Sequence, residues 1–269
     1  MNQYIFFPQW QGSGDSTEIF YGAKQLLASV QKDYPFHEIE VSLEKEAGVS
    51  NKINNFKVLF NQLGRCKRLV NEKTPKKIFT LGGDCGVELI PVSYLNSRYK
   101  NMALLWLDAH GDLNTPESSP SSNFHGMPLR TLLGEGNETF LKALISNITP
   151  KQVFLVGTRD LDRSEQNYIY KNHVELLTED NILELPVKLY EKGFEHIYIH
   201  LDLDILATDQ FPHVKVPSRN GIRIDIIEQL IKTLKDTFIV TGGSILESVP
   251  MDGASLDMAG RLLRLVFEK

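Results

Sequence analysis

Two apolar runs in this chain end in clusters of aspartate. MALLW leads into Leu107-Asp108-Ala109-His110-Gly111-Asp112, and HIYI leads into His200-Leu201-Asp202-Leu203-Asp204. Residues two apart in a strand share a face, so Asp108 projects with His110 and Asp202 with Asp204. A carboxylate buried at the end of an apolar strand is costly unless paired or bound to metal. Either cluster alone reads as a turn or a cap; together, with Asp112 added, they require a cation. Carboxylates with an imidazole suit Mn, Fe, Ni or Zn, and the oxygen excess favours a six-coordinate ion such as Mn. Two more apolar runs end unusually: KIFTL in Gly82-Gly83-Asp84-Cys85-Gly86, and FIVTGG in Ser244-Ile245-Leu246-Glu247-Ser248-Val249-Pro250.

The elements that must position these residues alternate from end to end without a Pro, Gly or Ser linker, which predicts one α/β domain over 1–269. Strands are expected at 4–7, 38–42, 77–81, 102–108, 152–157, 174–177, 196–204 and 238–243. Their Val, Ile, Leu and Phe runs are those of parallel strands covered on both faces, in a three-layer α/β/α arrangement with a mainly parallel sheet of about eight strands. Helical periodicity marks 16–31, 50–72, 86–98, 126–134, 138–146, 163–171, 181–192, 223–236 and 254–267. Ligands of such sheets bind beyond the carboxyl ends of the strands, where the aspartates stand.

Composition narrows the function classes. With 29 Lys and Arg against 34 Asp and Glu in 269 residues, the formal charge of -5 offers no basic field for nucleic acid or an anionic membrane. No apolar run approaches the ~20 residues of a membrane span, and the opening MNQYIFFPQW lacks the pattern of a signal peptide, so a cytoplasmic placement is expected. Cys66 and Cys85 are too few for a disulfide framework. Gly82-Gly83 belongs to neither phosphate-loop pattern.

Taken in order, these motifs resemble the arginase or ureohydrolase superfamily over nearly the whole chain. That family is marked by a strand ending in GGDH, then DAHxD, HG(M/Q)P, D-x-D and E-x-x-P. Here they stand as Gly82-Gly83-Asp84-Cys85, Asp108-Ala109-His110-Gly111-Asp112, His125-Gly126-Met127-Pro128, Asp202-Leu203-Asp204 and Glu247-Ser248-Val249-Pro250. The resemblance implies two Mn(II) ions, with Zn, Fe or Co open because of Cys85. Asp108 and Asp202 would bridge them, Asp112 and Cys85 would complete one position, and His110 with Asp204 the other. It further implies hydrolysis of a small guanidino substrate to urea, or a substituted urea, and an amine. The catalytic group would comprise Glu247 anchoring the guanidinium, His125 shuttling a proton, and Asp112. A homo-oligomer is compatible with this reading.

The loop from His110 to His125 resembles the arginase branch. There Asn114, Ser121 and Asn123 would bind an α-carboxylate; in VGTRDLD and the residues after it, Asp162 would face an α-amino group and Glu165 add a charge. Arginine or Nω-hydroxyarginine is therefore favoured over agmatine.

The mismatch is Cys85, where most of the family has histidine. Four Asp balance two divalent ions, and a neutral imidazole leaves that balance unchanged; a thiolate would make the cluster one unit negative and shift preference towards Zn or Fe(II). As a thiolate it would also be open to peroxide in the metal-free protein. His200 shares the parity of Asp202, but its strand alternates in the ordinary way, which places it in the core or behind the ligands. Cys66 is expected to pack, without a role. Three rival readings remain: a metal-binding or regulatory protein that has lost catalysis, a ureohydrolase for another guanidino or formimino compound, and a one-zinc deacetylase on a related sheet.

Overall fold

The computed structural model describes residues 1–46 and 48–268. Its strands are β1 (Asn2–Phe7), β2 (Phe36–Glu38), β3 (Val49–Ser50), β4 (Ile53–Asn54), β5 (Lys77–Gly82), β6 (Met102–Leu107), β7 (Val153–Val156), β8 (Glu175–Leu177), β9 (His196–Asp202) and β10 (Ile239–Leu246). Eight of them form one sheet in the order β2-β1-β5-β10-β9-β6-β7-β8, every pair parallel, while β3 and β4 form a separate antiparallel hairpin.

The helices are α1 (Glu18–Val30), α2 (Phe56–Lys73), α3 (Leu89–Arg98), α4 (Pro128–Leu132), α5 (Glu138–Ala143), α6 (Arg163–Asn172), α7 (Leu185–Glu191), α8 (Ile224–Thr237) and α9 (Gly253–Phe267). Along β6 and β9 the side chains alternate between two cores. Leu105, Ile199 and Leu201 pack with α1, α7, α8 and α9, whereas Leu104, Trp106 and Tyr198 pack with α2, α3, α4 and α5. The result is the three-layer α/β/α architecture. On α8 the buried Ile227, Leu230, Ile231 and Leu234 recur at helical spacing, and each contributes about 1.5–3 kcal/mol by leaving water. Trimming one to Ala would cost roughly 2–5 kcal/mol.

Several boundaries differ from the periodicity. The strand expected at 38–42 pairs only over Phe36–Glu38, because it is an edge strand and its partner β1 ends at Phe7. The helix expected from 50 begins at Phe56. Asn51 and Lys52 adopt positive φ of 53° and 59° and close the β3–β4 hairpin, a backbone that a right-handed helix cannot continue. A 3-10 turn, Cys85–Glu88, precedes α3, and another, Leu203–Ile205, follows β9. No helix among the described residues is long and apolar enough to cross a membrane.

Candidate metal centre

Four neighbouring strands, β5, β10, β9 and β6, bring their carboxyl ends together. Cys85 comes from the turn after β5, Glu247 from the residue after β10, Asp202 from the end of β9 and Asp204 from the turn that follows it. Asp108, His110 and Asp112 come from the segment after β6. The turn after β5 is fixed by backbone: Gly83 N–H donates to Phe7 O at 3.0 Å, and Gly83 O accepts from Glu247 N–H at 2.8 Å. A Cβ on Gly83 would lie 1.6 Å from Gln9 O, so only glycine lets β1 and β5 approach this closely.

The acidic groups are buried and interlocked. Asp108 Oδ1 accepts from His110 N–H at 2.7 Å, and Asp202 Oδ1 accepts from Asp204 N–H at 2.8 Å. Asp204 Oδ1 accepts from Ala109 N–H at 3.0 Å, and its Oδ2 stands 2.8 Å from His110 Nδ1. Cys85 Sγ lies 3.4 Å from Asp202 Oδ2 and 4.0 Å from Asp108 Oδ2. Three sets of donor atoms cluster within 4.8 Å: Cys85, Asp108, Asp112 and His200; Cys85, Asp202 and Glu247; and Asp108, His110 and Asp204. Asp108 is common to the first and third.

This donor set fits divalent cations. Asp112 Oδ2 is buried without a hydrogen-bond partner, on a backbone held at φ 51°. A buried orphan oxygen and a left-handed non-glycine residue are both costly, and a cation would satisfy the oxygen. Among the described residues, no lysine or arginine forms an ion pair with Asp108, Asp112, Asp202 or Asp204.

The electrostatics of the protein alone carry the same message. Burial and the charge of Asp108 push the Asp112 carboxyl far up, and burial with Asp204 and Asp108 does the same to Asp202. Asp204 is raised to about 6 by burial and Asp108, against the pull of His110. Burial opposes ionisation of Asp108, but hydrogen bonds from His110 and His200 outweigh it and hold that carboxyl low. Burial likewise disfavours the His110 imidazolium, yet Asp108 and Asp204 raise it to about 12. Cys85 is pushed well up by burial and four surrounding carboxylates, so without a cation it stays a thiol. The expectation that metal-free protein exposes an oxidisable thiolate is thereby corrected. Cys66 packs fully buried on α2, its thiol raised by burial to about 12.

A pocket of about 250 Å³ opens above the cluster. Glu247, at φ 61°, lines it; its Oε1 accepts from Cys85 N–H at 3.2 Å and its Oε2 from Ser13 Oγ at 3.2 Å. His125 lines it too, with Nδ1 3.3 Å from Ser13 Oγ and 3.6 Å from Glu247 Oε1. Burial works against its imidazolium, but Glu247 outweighs that and raises the ring. On another wall stand Asn114, Ser121, Asp162 and Glu165. Asn114 Nδ2 donates to Asp162 Oδ2 at 2.8 Å, and Glu165 accepts from Leu113 N–H at 2.9 Å and Asp162 N–H at 2.8 Å. The last of these bonds belongs to a capping box that starts α6. Asn123 faces a neighbouring depression instead, its Oδ1 engaged by Asn54 Nδ2 at 2.8 Å.

Sequence reasoning missed Ser13, which no motif marks, and Glu88, three residues after Cys85. It set His200 aside although the parity with Asp202 was visible. His200 is fully buried with Nε2 3.4 Å from Asp108 Oδ2, inside the cluster.

Comparison with known proteins places the chain and its fold among relatives. A curated arginase of Staphylococcus aureus (strain MRSA252) is 34% identical over 195 residues, spanning 69% of this chain and 65% of that protein. The crystal structure of Entamoeba histolytica arginase, in complex with L-ornithine, superposes with a TM-score of 0.88 at 22% identity, covering 100% of this chain and 98% of that one. A putative agmatinase from Clostridium difficile shares the fold at a TM-score of 0.74 and 18% identity, covering 98% of this chain and 94% of the other. The match to the arginase family runs over residues 18–267, and the chain belongs to that family.

Proposed function

We propose that this chain is a hydrolase that uses two divalent metal ions, Mn(II) foremost, to cleave arginine or Nω-hydroxyarginine to urea or hydroxyurea and an amine. The observation that carries the reading is the pocket itself. Its floor holds buried carboxylates that no described lysine or arginine pairs, one oxygen of Asp112 without any partner, and its walls hold Glu247 with His125 and Asn114 with Asp162.

Asp108, Asp112 and Asp202, with Cys85 beside them, would hold one metal, and Asp108, Asp202, His110 and Asp204 the other. Bound there, the pair would supply water acidified to near neutrality. Glu247 orients the planar guanidinium, since both its oxygens are fixed by donors and a carboxylate matches that fork. His125, whose ring Glu247 favours in the protonated form, gives a proton to the leaving amine, and Ser13 steadies the ring. Asp112, whose orphan oxygen a metal would take, lines the pocket where the attacking water must lie.

Selectivity comes from the far wall. The exposed Asp162 carboxylate faces an α-ammonium, while Asn114 keeps one amide N–H beyond the bond to Asp162 for an α-carboxylate. Ser121 adds a hydroxyl, Glu165 a further negative charge, and Asn123 secures the loop through Asn54. The L-ornithine held by the Entamoeba arginase has both groups and is the amine that arginine would leave. Urea release should be measured with Mn-loaded protein on arginine, Nω-hydroxyarginine, agmatine and a guanidino acid without an α-amino group. Higher kcat/KM on the first two supports the reading; preference for either of the others overturns it.

A further inference from the structure

We propose that His200 is a direct ligand of the first metal position, supplying from β9 the imidazole that the turn after β5 lacks, with Glu88 and Trp106 as its positioning residues. This rests on reading the cluster as a binuclear metal centre.

The strand register puts Trp106, His200 and Ser244 side by side on β6, β9 and β10. His200 Nε2 faces the cluster, 3.4 Å from Asp108 Oδ2 and 3.9 Å from Cys85 Sγ. With Cys85, Asp108 and Asp112 it forms a four-residue set whose donor atoms lie within 4.8 Å of one another. The partnerless Asp112 Oδ2 belongs to the same set.

The other ring nitrogen is committed elsewhere. Nδ1 stands 3.0 Å from Glu88 Oε1, which also accepts from the Ser244 hydroxyl, and Glu88 Oε2 accepts from Tyr198 Oη at 2.6 Å. Both Glu88 oxygens are acceptors for neighbouring groups, so Nδ1 keeps a proton, and a cation in the cluster would take the Nε2 lone pair in place of the contact with Asp108. A carboxylate behind a histidine is the arrangement that orients and strengthens a metal-ligating imidazole. The ring stacks on Trp106 at 3.5 Å and 6°, which prevents it from turning away.

Charge favours the same assignment. Four aspartates balance two divalent ions, and a neutral imidazole completes the first position without adding to that balance. Cys85 then remains beside the metal as a thiol and is dispensable for occupancy.

The full chain loaded with Co(II) provides the test. Proton NMR in water should show a hyperfine-shifted, slowly exchanging N–H from the buried Nδ1 of His200, distinct from the more accessible ring proton of His110. His200→Gln should lose that signal and retain one Co(II) per chain instead of two. Glu88→Gln should weaken the first metal roughly 10–100-fold, while Cys85→Ala should keep both. Two Co(II) bound undiminished by His200→Gln, with every shifted signal kept, would overturn the proposal. If that variant does not fold, the wild-type spectrum decides: two bound Co(II) without a slowly exchanging shifted N–H overturn it equally. Wild type that takes up no Co(II) would instead defeat the metal-centre reading beneath it.

Discussion

His110 Nδ1 and Asp204 Oδ2 meet at 2.8 Å across the junction of β6 and β9. Both belong to the donor set that shares Asp108 with its neighbour, so the two metal positions differ in what they can lose. Asp204→Ala should therefore leave one metal per chain, whereas Asp108→Ala should remove both. Asp202→Ala should also remove both. Metal content by mass spectrometry after dialysis checks this; one metal kept at full occupancy without Asp202 would contradict a bridging role.

Glu247 should affect substrate and leave the metals in place. Glu247→Gln removes the charge from a carboxylate that two donors orient, and should lower kcat/KM by about 1.5–3 kcal/mol, the worth of a charged hydrogen bond. Metal content should be unchanged. Loss of a metal in this variant would make Glu247 a ligand, as its position near Cys85 and Asp202 permits.

Asp162→Ala should erode the preference for arginine over agmatine by of order 1 kcal/mol, a modest figure because this carboxylate is exposed and screened. Steady-state kinetics on both substrates gives the ratio. An unchanged ratio would remove Asp162 from the specificity wall.

The pH dependence of stability should invert on metal loading. Asp84 is raised to about 7, by burial and the charge of Glu247, and Asp204 to about 6. Both folded-state values exceed the ~3.9 of an unfolded aspartate. Metal-free folded protein thus binds more protons than the unfolded chain between about pH 4 and 7, and loses stability as pH rises through that window. Bound metal needs ionised carboxylates, so loaded protein should gain stability over the same range. Thermal midpoints of chelator-treated and Mn-loaded protein at about pH 5 and about pH 8 give both signs; parallel trends would contradict the cation site.

Much of this was legible in the sequence because it is local. Apolar runs closed by polar turns mark seven of the eight strands of the main sheet, the edge strand β2 being met only at Glu38, and strand parity pairs Asp108 with His110 and Asp202 with Asp204. The β3–β4 hairpin was hidden because Asn51 and Lys52 sit in a polar stretch that also suits a helix. The surroundings of His200 were hidden for a different reason. Its partners Glu88, Trp106 and Ser244 lie on other elements, and only the order β5-β10-β9-β6 brings them together. Ser13 reaches Glu247 across 234 residues of sequence, with no spacing rule to announce it.

The most direct test of the proposed reaction is urea release from L-arginine by chelator-stripped protein titrated with Mn(II). Activity should be absent in the stripped protein, rise with added metal and saturate at about two equivalents per chain, as a two-metal site requires. Urea release that survives stripping, or stays absent at saturating Mn(II) in protein shown to hold two ions, would contradict a binuclear hydrolase of arginine.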